Sequence, residues 1–213
     1  MVQEQVCSLI ALEEAVARSL ADRLGSREQA QRDADRDPKS LRQAAVAMVL
    51  GADPADPAPH LLLMHRTEHP QDRWSGHISL PGGHVEADDA SLLAAAMREA
   101  REEVGIPLEP TARLLGALPA IQASGRGKLL AMRVTPFVFA LTRPTEARPG
   151  PEAQSVFALP LDRAASGALD APYRVPAADG PSREVPSFRY GHHTVWGMTY
   201  RMIQELLAAL REP

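Results

Sequence analysis

Apolar positions along the chain fall into two kinds of pattern. Over 4–24, Val6, Ile10, Ala11, Leu12, Ala15, Ala17, Leu20 and Leu24 recur roughly at helical spacing, and Gly25 is a plausible stop. The stretch 26–40 is polar and charged and reads as a loop or frayed extension. Two unbroken apolar runs, 44–50 and 61–64, predict strands, and the Pro- and Asp-rich GADPADPAPH between them predicts a turn. Pro81-Gly82-Gly83 is a loop signal. A helix is predicted over 90–104, with Leu93, Met97, Ala100 and Val104 as its apolar stripe and Gly105 as its stop. Further strands are predicted over 114–118 and 132–141, the second with Pro136 as an edge or bulge signal. The Pro-rich stretches 143–153 and 170–187 read as long loops flanking an apolar run at 156–161. A last helix is predicted over 197–210, with Met198, Met202, Leu206 and Leu210 on one face.

Strands alternating with helices, with no internal repeat and no linker, give an α/β chain of 213 residues. The expected division is an N-terminal helical extension, 1–40, packed on one domain, 41–213. A chain this long buries roughly 70% of its unfolded surface and needs no disulfide or structural metal. Its one cysteine, Cys7, has no internal partner and is expected as a small buried apolar residue. The first 30 residues show no basic-then-apolar signal pattern, and no apolar run approaches the roughly 20 residues of a membrane helix, so the expected location is the cytoplasm. Acids outnumber bases 27 to 23, which argues against a general nucleic-acid or anionic-membrane surface.

That acidic excess is not spread evenly. Residues 86–109 hold seven acids and two bases, whereas the rest of the chain is nearly neutral. Within this segment Glu99, Glu102 and Glu103 lie three and four apart on the predicted helix, so their carboxylates crowd together on one side, away from the apolar stripe. Like charges at that spacing repel, and a hard divalent cation with oxygen ligands would offset the repulsion. Arg98, one turn before Glu102, is placed to hold that carboxylate. An isolated R-E-x-x-E-E is more often a solvated face with ordinary Glu/Arg pairing; the diglycine before it and the terminating glycine after it make the combination more specific.

The segment resembles the Nudix box, G-x5-E-x7-R-E-U-x-E-E-x-G-U with U a bulky aliphatic. Gly83, Arg98, Glu99, Glu102, Glu103, Gly105 and Ile106 fit it. Asp89 stands where the first Glu is expected, eight residues rather than seven separate it from Arg98, and Ala100 is small for its position. The flanks are similar to the coenzyme A pyrophosphatase group of that family: Leu62-Leu63-Met64-His65-Arg66, then Gly76 through Gly83 with Leu80 in place of Phe, and Trp196-Gly197-Met198-Thr199 at the start of the last helix. Arg73 is only three positions before Gly76, closer than in that group.

The resemblance implies a Nudix fold, a mixed β-sheet between α-helices, and hydrolysis of a pyrophosphate bond in a nucleoside diphosphate linked to a second group. Coenzyme A is the first substrate reading; a nucleoside triphosphate, ADP-ribose or a dinucleoside polyphosphate is the alternative. A nucleotide-sensing module without turnover is a third. The implied cofactor is Mg²⁺ or Mn²⁺, held by Glu99, Glu102, Glu103 and a backbone carbonyl near Gly82, with Arg98 orienting the carboxylates. The general base is either Glu99 or Glu152, the latter in the loop before 156–161. Arg66 is a phosphate contact or a salt-bridge partner; Arg73 and Trp74 contact diphosphate and base, or Trp74 wedges its loop onto the core. His77, His192, His193 and Trp196 are expected to pack. The implied partner is a small nucleotide conjugate, with a homodimer possible and the oligomeric state open.

Overall fold

The central strand of the protein is its most apolar segment. In a computed structural model, which describes residues 14, 16–18, 20, 24–35, 41–53, 56–69, 74–125, 128–175 and 182–211, β1 (Arg42–Asp53) lies between β2 (Asp56–Arg66) and β7 (Lys128–Leu141). Every residue from 44 to 50 is buried, as expected of a strand covered on both faces. The remaining elements in chain order are α1 (Arg27–Asp35), β3 (Ile78–Ser79), β4 (Gly82–His84), α2 (Leu92–Val104), α3 (Leu108–Thr111), β5 (Ala112–Ala117), β6 (Ile121–Gly125), β8 (Ala153–Pro160), α4 (Leu161–Ala165), β9 (Asp170–Val175), β10 (Arg183–Tyr190), β11 (His193–Trp196) and α5 (Gly197–Arg211).

Eight strands form a mixed sheet along the path β3-β2-β1-β7-β5, with β4 on β1, β6 on β7 and β8 on β2. β1 and β7 run parallel, and the other pairs in this sheet are antiparallel. Alternation along β1 separates two cores. Ala44, Val46, Met48 and Leu50 face α5 (Met202, Ile203, Leu206, Leu207) together with Val16 and Leu20; Ala45, Ala47 and Val49 face α2. The expected αβα sandwich is therefore what the chain forms. Glu14, Val16, Ala17, Arg18 and Leu20 are helical, in line with the first predicted helix; the rest of 1–13, including Cys7, lies outside the described residues.

Several expectations are corrected. The polar stretch 26–40 holds α1, nucleated by Ser26, whose hydroxyl accepts the Gln29 N–H. The 51–60 separator is mostly strand, because β1 and β2 continue toward each other through Gly51↔His60 and Ala52↔Pro59. β4 occupies the predicted diglycine loop, and β6 went unpredicted. The 170–187 loop instead contains β9 and part of β10, in a three-stranded antiparallel sheet with β11. Pro172 and Pro186 are tolerated because they face each other and β11 pairs only from Ser187 onward, so neither ring nitrogen is needed in the ladder. Pro136 is not on an edge: it sits in β7 where β5, ending at Ala117↔Phe137, gives way to β6, starting at Ile121↔Val134.

The most consequential correction concerns α2. Its buried residues are Leu92, Ala95, Ala96, Ala100, Glu103 and Val104, while the predicted stripe members Leu93 and Met97 are only partly buried. Alanines let the helix approach the sheet closely, and Glu103 lies on that same inward face. Glu103 is thus not on the side away from the core, and Glu99 is only partly exposed, whereas Glu102 does face solvent. The Gly105 stop is as predicted, with a left-handed φ of 71° and Ile106 N–H reaching Ala100 O at 3.2 Å, while the helix begins at Leu92, two residues later than expected, where Ser91 Oγ accepts the Ala94 N–H at 3.1 Å.

Candidate active site

Glu103 is 3% exposed, and two groups hold it. Its Oε2 accepts the Gly82 N–H at 2.7 Å, and its Oε1 faces Arg66 NH1 at 3.4 Å. Both neighbours come from the sheet: Arg66 ends β2, and β4 pairs with β1 through Val46↔Gly82 and Ala45↔Gly83. The diglycine makes the approach possible. A Cβ on Gly82 would run into the Ala45 carbonyl and come within 2.6 Å of Val46 Cα, and a Cβ on Gly83 would overlap the Glu99 carboxylate. The β4 backbone therefore lies directly against the two inward acids of α2.

Arg98 organises the other side. Its Nε and NH2 donate to Asp89 Oδ1 and Oδ2 at 3.1 and 3.0 Å. Its NH1 donates to Glu99 Oε1 at 3.0 Å and Glu102 Oε2 at 3.1 Å, and its NH2 also reaches the His84 carbonyl at 3.1 Å. This is the planar fork used to its full extent, which an ammonium could not match. Asp89 is the shorter acid in the lengthened box; it meets Arg98 face to face, and the guanidinium bonds hold its carboxyl below the usual range. The sequence marked Asp89 only as a departure, not as the anchor of Arg98.

A further carboxylate arrives from the opposite strap, residues 142–152. Glu152 Oε2 stands 3.6 Å from Arg66 NH2, so Arg66 bridges Glu103 and Glu152. The salt-bridge reading of Arg66 is thus realised in this geometry. Burial raises the carboxyls of both Glu99 and Glu103, and negative neighbours add to it: Glu102 and Glu152 act on Glu99, while Glu99 and Glu152 act on Glu103, which is pushed up to about 7. One guanidinium on each flank does not neutralise the group.

The donor set fits a hard divalent cation: four carboxylates, all oxygen, with two of them paying for burial beside like charge. Among the described residues no three acidic, imidazole or thiol groups already converge on one point, because Glu99 and Glu102 turn toward Arg98 and Glu103 toward Gly82. Glu99, Glu102 and Glu103 are the residues that could hold the ion, together with backbone oxygen beside Gly82.

Comparison with known proteins places this arrangement. The NUDIX domain family model matches residues 41–178. The chain belongs to the Nudix family of hydrolases. A curated relative, the uncharacterized Nudix hydrolase NudL of Salmonella dublin, is 35% identical over 169 residues, covering 79% of this chain and 83% of the relative. NudL of Salmonella newport (strain SL254) is 36% identical over 166 residues, covering 78% and 81%. Among solved structures, a MutT/nudix family protein from Enterococcus faecalis superposes with a TM-score of 0.50 at 14% identity, over 84% of this chain and 66% of that one.

The other predicted Nudix site residues fare differently. Arg73 lies outside the described residues. Trp74 packs against the core on the α5 face of the sheet, opposite α2, which is the wedge reading. His193 stacks on Phe157 with ring centroids 4.0 Å apart and contacts His192 and His65, and His77 lies against Trp196 at 4.9 Å. These rings pack, as expected. The sequence did not foresee the Gly82 amide as a partner of Glu103, or α1 as a support: Gln31 Oε1 accepts the Leu92 N–H at 3.0 Å, capping α2 beside Ser91. No helix among the described residues is long and apolar enough to cross a membrane.

Proposed function

We propose that this chain is a divalent-metal-dependent pyrophosphatase acting on a nucleoside diphosphate linked to a second group, with coenzyme A or its derivatives as the substrate and 3′,5′-ADP and 4′-phosphopantetheine as products. The observation that carries the reading is the cluster of Glu99, Glu102, Glu103 and Glu152, with Glu99 and Glu103 sheltered from solvent, held by Arg98 and Arg66 and left with excess negative charge. A protein has little reason to bury such a group unless a cation joins it. The Leu62–Arg66 and Gly76–Gly83 segments and the Trp196–Thr199 segment support the coenzyme A choice, and Mg²⁺ or Mn²⁺ is the cation.

When bound, the ion would neutralise phosphate charge and acidify the attacking water. Glu99, Glu102 and Glu103 hold it. Arg98 keeps Glu99 and Glu102 side by side, so that both carboxylates would need only to turn from the guanidinium to meet the ion. Arg66, at the mouth between Glu103 and Glu152, is placed to exchange a carboxylate for a substrate phosphate oxygen. Water attacks one phosphorus, the bridging P–O bond breaks, and the departing phosphate takes the electron pair. The proton lost by water goes to Glu152. That acid is 69% exposed, whereas Glu99 is 14% exposed and engaged by Arg98.

The test is a panel of coenzyme A, ADP-ribose, nucleoside triphosphates and dinucleoside polyphosphates with Mg²⁺ or Mn²⁺, read by mass spectrometry on wild type and Glu103→Gln. Cleavage of coenzyme A that needs metal and largely disappears in the variant is expected. Undiminished turnover by Glu103→Gln removes the metal-ligand assignment. Intact coenzyme A beside a cleaved alternative moves the substrate, and binding without turnover across the panel favours the sensing module.

A further inference from the structure

We infer that Gly150 is a positioning residue: its missing side chain lets the strap 142–152 lie on the end of α2 and so sets where the Glu152 carboxylate stands. The inference rests on the proposed role of Glu152 as base. Helix ends leave carbonyls without partners. Here the Gly105 and Ile106 amides take those of Arg101 and Ala100, and the strap takes the last two, Gly150 N–H to Glu103 O at 2.8 Å and Arg148 N–H to Val104 O at 2.9 Å. The strap is therefore bonded to the main chain of Glu103 and of its neighbour Val104.

From Gly150 to the start of β8 there is almost no slack. Ala153 N–H closes a turn onto Gly150 O at 3.1 Å, and Thr67 N–H holds Glu152 O at 2.9 Å beside Arg66. Pro151 restricts the one residue between Gly150 and Glu152. Glu152 is thus pinned on one side to α2 and on the other to β2.

Gly150 does not adopt a left-handed φ, so alanine is not excluded by conformation. It is excluded by space. A Cβ there would overlap the Glu102 carbonyl oxygen and come within 3.0 Å of the Glu102 carbonyl carbon and 3.3 Å of that of Glu103. These are helix backbone atoms that cannot swing aside, so the strap must lift, and Glu152 with it. A displacement of about 1 Å at a catalytic group costs roughly 100-fold in rate.

The experiment is a double-mutant cycle of Gly150→Ala with Glu152→Gln, on the full chain with Mg²⁺. Glu152→Gln is expected to lower kcat by ~100-fold. Gly150→Ala is expected to lower kcat by ~10- to 100-fold with KM within about twofold, and the double variant to be no slower than Glu152→Gln within about twofold. Hydrogen exchange at the Arg148 and Gly150 amides should quicken in Gly150→Ala while thermal unfolding stays cooperative. Wild-type turnover by Gly150→Ala, or a double variant slowed by the product of the two single effects, overturns the inference and leaves Glu152 as base. A silent Glu152→Gln overturns both. If Gly150→Ala does not fold, Pro151→Gly loosens the same turn without touching the helix, and its loss of kcat must likewise vanish in the Glu152→Gln background.

Discussion

Arg98 ties three acids from two segments, and its geometry decides what a substitution does. Arg98→Lys keeps the charge but can satisfy only part of the set Asp89, Glu99, Glu102 and the His84 carbonyl. We expect kcat to fall by ~100-fold in steady-state assays at saturating metal, with a smaller change in KM, because orientation of the acids is lost. Glu103 supports a different prediction. In ion-free protein its carboxyl is raised from 4.5 to about 7 by burial first and by Glu99 and Glu152 after. The folded state then binds more protons than the unfolded state between those values, so stability falls as pH rises through this window and the cost is complete above about 7. A rise from 4.5 to about 7 corresponds to roughly 3 kcal/mol. Thermal unfolding in chelator should show this decline for wild type, and Glu103→Gln should flatten it. Added Mg²⁺ at ~100 times its Kd should restore about 2.7 kcal/mol at pH 8.

At the scale of elements, α2 is the part on which the site depends, and its ends are where its position is set. Ser91→Ala removes the Ala94 N–H acceptor and should cost about 1 kcal/mol in denaturant unfolding, with turnover at 25 °C retained because Gln31 still accepts from Leu92. The sequence showed where this helix ends, since Gly105 is a chemical signal local to the chain, and placed its start within two residues of Leu92. It misplaced the inward face, because the large side chains Leu93 and Met97 outweigh Ala95 and Ala96 in any reading of hydrophobic spacing, whereas close packing on the sheet favours the small ones. Reading Glu103 as inward required knowing that approach. The same limit explains β9 and β10: Pro172 and Pro186 are strand breakers alone and are harmless only because they face each other. The R-E-x-x-E-E acids were legible from spacing, but Asp89 as the Arg98 anchor and the Gly82 amide as the Glu103 donor depend on a fold-back of β4 that no local signal announces.

Across the whole molecule the sheet separates function from much of the stability. The α2 face has the acids, while the α5 face holds a core to which Val16 and Leu20 contribute from the N-terminal segment. Leu20 is 1% exposed, and truncating it leaves a cavity in the core on the α5 face rather than beside Glu103. Leu20→Ala should therefore lower unfolding stability by about 2–4 kcal/mol. Well below its unfolding midpoint it should turn over substrate at the wild-type kcat, because the β1 backbone between the two cores is held by β2 and β7 on either side. One path across the sheet does exist: Thr199 Oγ1 in the first turn of α5 donates to Ile78 O at 3.0 Å, and Ile78 begins the run that leads to Gly82. Thr199→Val breaks that bond while keeping the shape, leaving a buried carbonyl unpaired at about 1–3 kcal/mol. If the two faces are energetically separate apart from this link, Leu20→Ala changes the denaturant midpoint alone, and Thr199→Val changes the midpoint and kcat together. Equal loss of kcat in both variants would mean that the faces act as one unit.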